Sequence, residues 1–201
     1  MRPAACRRPL RLFAAVIALV AAGHPGLAAA PASPGPASPG PAPGPEAQAA
    51  PSPHAADHAS EDAIIAALYA VISGPAGAAR DWDRFRALFW PGATLTGTGV
   101  GPDGTPRARL MTVEDYIARN GPVLTERGFF ETETGRRSER LGAVTALLSG
   151  YESRTTPEAA PFDRGVNAIH LFDDGQRWWI VAVTWASIPP GADAPPGLLP
   201  D

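Results

Sequence analysis

The chain has 201 residues, a formal net charge of −3, 21 glycines, and 24 prolines weighted toward its first quarter. That charge balance, with arginines scattered along the chain, offers no basic surface for a nucleic-acid backbone. One cysteine, Cys6, near the N-terminus, excludes a disulfide or a thiolate metal site in the rest of the chain.

Arg2, Arg7, Arg8 and Arg11 precede an apolar run from Leu12 to Ala22, a pattern that reads as a secretory signal and is too short for a stable transmembrane anchor. Pro25 and Gly26 break the run, and the small residues Gly26 and Ala28 predict cleavage after Ala28 or Ala29. A signal peptide over 1–29 is therefore expected, with a periplasmic or secreted product and no membrane anchor after cleavage. Cys6 lies before the apolar run, so it is not placed for lipidation and leaves with the signal.

From Pro31 to Pro53 the sequence is almost wholly Pro, Ala, Ser and Gly, which lacks the apolar side chains needed to offset ordering entropy; a disordered, polyproline-leaning tether is expected over 30–57. His54 and His58 flank Asp57, but two histidines in so ligand-poor a stretch read as solvated, and neither a metal nor a cofactor is expected. Roughly 130 residues remain, the size of one domain with one core. The boundaries read 58–188 for the domain and 189–201 for a flexible Pro/Gly-rich tail.

Within the domain, Ser60 caps a helix whose first turn carries Glu61 and Asp62, and Ile64, Ile65, Leu68, Val71 and Ile72 form its buried stripe. Gly74 and Pro75 end it. A second helix from Asp81 sets Trp82, Phe85, Leu88 and Phe89 on one side before Pro91 and Gly92 stop it. A short strand over 93–98 leads into a loop from Gly99 to Pro106. Thr112 and Asp115 open a third helix with Val113, Tyr116 and Ile117 on its apolar face, kinked or ended at Gly121 and Pro122. Four strands follow over 129–137, 142–154, 164–172 and 177–187, the last two joined by the turn Asp173-Asp174-Gly175. The expected class is α+β: three N-terminal helices packed on the concave face of a curved, mostly antiparallel sheet.

This element order, with DWDRFRALFWPGATL at the second helix and first strand, YESR in the meander and RGVNAIHLFDDGQRWWIVAVTW as the closing hairpin, resembles the nuclear transport factor two-like superfamily. The resemblance covers about residues 60 to 188. It implies a conical cavity for a small apolar ligand, walled by Tyr69, Phe89, Tyr116, Asn167 and Trp185. Ketosteroid isomerases, scytalone dehydratases and polyketide-cyclase-like proteins share that fold with members of no known reaction, so fold does not fix function. Tyr69 matches the position from which the isomerases supply a phenol, but the position of their general-base aspartate is held by Gly97, which disfavours that reaction. Three readings stay open: a ligand-binding domain without assignable reaction, a cofactor-independent lyase, isomerase or cyclase, and a dimeric scaffold.

Alternation puts Asn167, Ile169 and Leu171 on one face of their strand and Val166, Ala168, His170 and Phe172 on the other. The first set is expected inside, and the second to form a homodimer contact. By the same alternation Trp179 and Trp185 share a face, and Glu131 and Glu133 share one with Phe129, where cross-strand pairing with arginines is expected. N-terminal sequencing of the exported protein should find a start near Ala29 or Ala30; recovery of membrane-bound chain retaining Met1 would contradict the signal reading.

Overall fold

Ser60, Asp81 and Thr112 start the three helices by the same chemistry, each accepting a hydrogen bond from the backbone N–H three residues on. In the computed structural model, which describes residues 54–189, 191–193 and 195–200, these are α1 (Glu61–Ile72), α2 (Trp82–Ala87) and α3 (Val113–Arg127). At α3 the Asp115 carboxylate also accepts from the Thr112 N–H, completing a capping box. The strands are β1 (Phe89–Val100), β2 (Pro106–Met111), β3 (Phe130–Leu141), β4 (Val144–Arg154), β5 (Asp163–Asp173) and β6 (Trp178–Ser187).

The strands form one sheet in the order β2-β1-β6-β5-β4-β3, antiparallel throughout except where β1 runs parallel to β6. Its inner face and the helices enclose one core that includes Ile64, Ile65, Phe85, Ile169, Leu171 and Ile180. The expected α+β architecture is the one present.

Several local expectations differ. Phe89 belongs to β1 rather than to the second helix, because Pro91 and Gly92 do not stop a helix but form a bulge: Gly92 takes φ 85°, open to glycine, and the β1–β6 register shifts between Phe89 and Thr94. β2 was not expected, since its residues alternate no apolar pattern. It is an edge strand, mostly exposed and carrying Arg107 and Arg109, features that suit an edge and hide it from periodicity. α3 runs through Gly121 and Pro122 to Arg127; Gly121 has no side chain to collide with Trp82, and Leu124 buries the last turns.

The most consequential difference lies in β6. Leu171 pairs with Ile180 and His170 with Ala182, so Val181 is an extra residue and alternation reverses there. Trp178 and Ile180 point inward, Trp179 outward, and Val183 and Trp185 inward again. Trp179 and Trp185 therefore lie on opposite faces.

Both ends of the domain extend beyond the expected boundaries. Residues Ala55–His58 form a 3-10 turn; Asp57 takes a two-pronged ion pair from Arg84, at 2.7 and 2.9 Å, and His58 is buried against the Trp178 carbonyl. Neither is a solvated tether residue. At the other end Leu198 is fully buried on the outer face of the β3–β4 pair, where the paired glycines Gly135 and Gly150 leave room for its backbone. The Leu198 carbonyl accepts from Thr134, and Pro200 from Arg164. The described part of the expected flexible tail is thus packed. Leu198→Ala should cost roughly 2–5 kcal/mol, read by urea unfolding; an unchanged midpoint would show that the segment contributes nothing to the fold.

Candidate functional site

Tyr69 reaches from α1 into the inner face of the sheet, where its hydroxyl lies 2.6 Å from Ser149 Oγ of β4 and accepts from Asn167 Nδ2 of β5 at 3.1 Å. Ser149 has one hydroxyl proton and donates it to Glu133 of β3 at 2.5 Å, so the Tyr69 proton must go to Ser149. Donation runs one way, from Asn167 to Tyr69 to Ser149 to Glu133, and ends in the Glu133–Arg136 ion pair at 2.7 Å. Arg136 continues to Asp62 at the surface. Burial is the main reason that the Tyr69 phenol is pushed above its usual pKa, with the Glu131 charge adding to it.

Glu131, two residues before Glu133 and on the same side of β3, has no arginine partner among the described residues. Its Oε2 accepts from Ser153 at 2.9 Å. Burial raises its pKa to about 7, against the opposing effect of bonds from Ser153 and Asn167 and with a small push from the Asp163 charge. The residue nonetheless keeps solvent-accessible surface, as does Tyr116. Groups crowded by protein yet still accessible sit in a recess rather than in sealed core.

Tyr116 comes from α3, stacked on Phe85 at 5.2 Å and edge-on to Trp185 at 6.1 Å. Its hydroxyl makes no hydrogen bond among the described residues. Burial and the neighbouring Glu131 charge raise its pKa, so it stays protonated and can donate. Gly97 of β1 is what allows Trp185 to lie where it does: a Cβ there would stand 2.9 Å from the indole ring. No carboxylate fits at that position, and the acidic group of the recess comes from β3 instead.

Of the residues expected at the cavity, Tyr69 and Asn167 meet, but they bond each other rather than presenting two open polar tips. Tyr116 and Trp185 meet at the recess. Phe89 does not: it is buried against Phe85 at 4.8 Å. Glu131 was not expected at the site, although its two-residue spacing from Phe129 and Glu133 was visible in the sequence. Glu133 does take an arginine partner, but Arg136 of its own strand rather than one across the sheet. Asn167 is inward, as alternation predicts, and His170 is exposed on the outer face. Among the described residues no group of three or more His, Cys, Asp and Glu is arranged to hold a metal ion.

Three helices packed on the inner side of a six-stranded sheet complete the architecture expected from the sequence. That layout is the one implied by the sequence's resemblance to the nuclear transport factor two-like superfamily. Solved structures described as NTF2-like or cystatin-like resemble the chain at low identity. A cystatin-like protein of unknown function from Nostoc punctiforme is 10% identical, with a TM-score of 0.47 over 63% of this chain and 87% of that one. An uncharacterised cystatin-like protein from Caulobacter vibrioides is 13% identical, with a TM-score of 0.46 over 64% and 87%. An NTF2-like protein from Shewanella baltica is 15% identical, with a TM-score of 0.35 over 54% and 79%. No family model and no curated protein matches the sequence. These likenesses are of fold and transfer no activity.

A carboxyl with a folded-state pKa of about 7, against an unfolded value of ~4.3, favours folding at low pH and loses that contribution as pH rises through the folded pKa. Wild-type stability relative to Glu131→Gln should fall between about pH 4 and about pH 7, measured by urea unfolding at each pH. Parallel pH profiles for the two proteins would show that Glu131 titrates normally.

Proposed function

We propose that the recess on the concave side of the sheet binds a small, mostly apolar molecule carrying one oxygen, and that Glu131 exchanges a proton with it while the Tyr116 hydroxyl bonds the oxygen. The observation that carries this reading is the Glu131 carboxyl, raised to about 7 by burial and accessible beside a protonated phenol that has no hydrogen-bond partner among the described residues. A base whose pKa lies near neutrality is both ionised often enough and basic enough to transfer protons.

The chemistry that suits the arrangement is removal of a proton from a carbon next to a carbonyl. The C–H bond breaks, its proton passes to a Glu131 oxygen, and the electron pair shifts to the carbonyl oxygen, where Tyr116 donates a hydrogen bond to the developing negative charge. Return of the proton to another carbon gives an isomerisation; departure of a β-substituent gives a lyase step. Ser153 holds one Glu131 oxygen, which orients the carboxyl. Asn167, Tyr69 and Ser149 hold the floor of the recess through bonds they make to each other. The basic, short-cored N-terminal segment supports a site of action outside the cytoplasmic membrane.

Binding without reaction is the second reading, favoured by the mutual bonding of Tyr69 and Asn167, which leaves few polar contacts for a substrate. Deuterium exchange at the α-carbon of aryl ketones such as acetophenone, followed by NMR, separates the two. Exchange should accelerate through about pH 7 and drop about a hundred- to ten-thousand-fold in Glu131→Gln. Saturable ketone binding with no exchange would support the binding reading alone. No binding at all would remove both.

A further inference from the structure

The outer face of the sheet carries a row of aromatic rings that the core does not use. Trp90 stands at right angles to both Phe172 and Trp179, with ring centroids 5.2 and 5.4 Å away. Trp179 is 6.2 Å from His58, so the row begins beside the 3-10 turn at the N-terminal edge of the domain. Trp90, Val144, Ala146, His170, Phe172 and Val181 line an open depression of about 460 Å³. Trp90 remains 40% exposed and Val144 50%. The bulge at Val181 supports this face, because it is what turns Trp179 outward while Trp185 stays inside.

The indole N–H groups of the row differ. Trp179 donates to Asp174 at 2.7 Å and is covered by the Arg177 guanidinium at 3.6 Å. Trp90 has no acceptor among the described residues. A surface of perpendicular aromatic rings with one free indole donor and no charged side chain in the depression matches one kind of chain well: a proline-rich segment. Such a segment takes a polyproline conformation at low entropic cost, packs its pyrrolidine rings between aromatic rings and offers unpaired carbonyls as acceptors.

The chain contains such a segment next to the row. Pro31 to Pro53 includes Pro34, Pro36, Pro39, Pro41, Pro43 and Pro45, and Glu46 is its single charged residue. It joins the domain at His54, four residues before the His58 that touches Trp179. At roughly 3.1 Å per residue, the run spans the row several times over. A short tether also holds it at an effective concentration of about millimolar, enough to favour even a weak contact. We propose that the proline-rich segment of this chain docks in cis on the outer aromatic row, with a carbonyl of the Pro34–Pro45 stretch accepting from the Trp90 indole. Docking there would cover in the monomer the surface that a second copy would otherwise use.

The test uses the full chain, with Cys6→Ser and Ala42→Cys carrying a nitroxide and the indoles labelled with nitrogen-15. The Trp90 indole signal should lose severalfold more intensity than that of Trp82, which stands on α2 beside the point where the segment joins the domain, His54 and Asp81 being 3.6 Å apart, and so reports tethering alone. The effect should vanish when the six prolines from Pro34 to Pro45 are replaced by serine, and should be absent when labelled chain without nitroxide is mixed with unlabelled chain carrying it. Equal broadening of Trp90 and Trp82 overturns the proposal. So does broadening that survives the serine replacements, which mere tethering would explain. Broadening in the mixed sample would place a segment of another copy on the row, and a dimer dispersed by Phe172→Glu would place a second copy's sheet there; either result overturns docking in cis.

Discussion

Tyr69 has one proton, and the direction in which it is donated organises the concave side of the sheet. Ser149 gives its own proton to Glu133, so Tyr69 must donate to Ser149 and accept from Asn167. A phenol, a hydroxyl and an amide are thereby paired inside an apolar core, where an unpaired polar group costs about 1–3 kcal/mol. The same chain of bonds ties α1 to β4 and β5 and carries the charge of Glu133 out to Arg136 and Asp62. Glu131 has no cationic partner among the described residues, and burial, with no such partner to oppose it, raises its pKa to about 7.

The second organising feature is the extra residue at Val181. Without it, Trp179 and Trp185 would share a face, and either the recess would lose its Trp185 wall or the outer row would lose Trp179. The bulge gives one ring to each side. Gly97 completes the inner arrangement by leaving space for the Trp185 ring. The two faces thus acquire distinct chemistry from one strand: a recess with an acid and a phenol inside, an aromatic row flanked by Arg177 and Asp174 outside.

Much of this was readable in the sequence. The caps at Ser60 and Thr112, the turn at Asp173-Asp174-Gly175 and the inward face of Asn167 follow from local rules, because each depends on neighbours in the chain or on strict alternation. β2 was hidden because an edge strand that buries almost nothing has no apolar period. The division of the tryptophans was hidden because a bulge breaks alternation without a sequence mark at Val181. Glu131 was visible as a carboxylate sharing a face with Glu133 and Phe129, but neither the inward direction of that face nor the isolation of Glu131 was. Arg136 lies close enough in sequence to suggest a partner for either acid, and only the three-dimensional course of β3 gives it to Glu133. Leu198 looked like part of a proline- and glycine-rich tail because the glycine pair that receives it, Gly135 and Gly150, lies far off on two other strands.

The central claim is that burial without a cationic partner holds the Glu131 carboxyl near neutrality. Carbon-13 NMR of the side-chain carboxyl, assigned by comparison with Glu131→Gln, measures this directly. The account predicts a titration midpoint of about 7, well above that of solvent-exposed glutamates in the same spectrum. A midpoint near the ordinary value of ~4.3 would contradict it, and with it the reading of Glu131 as the proton-transfer group of the recess.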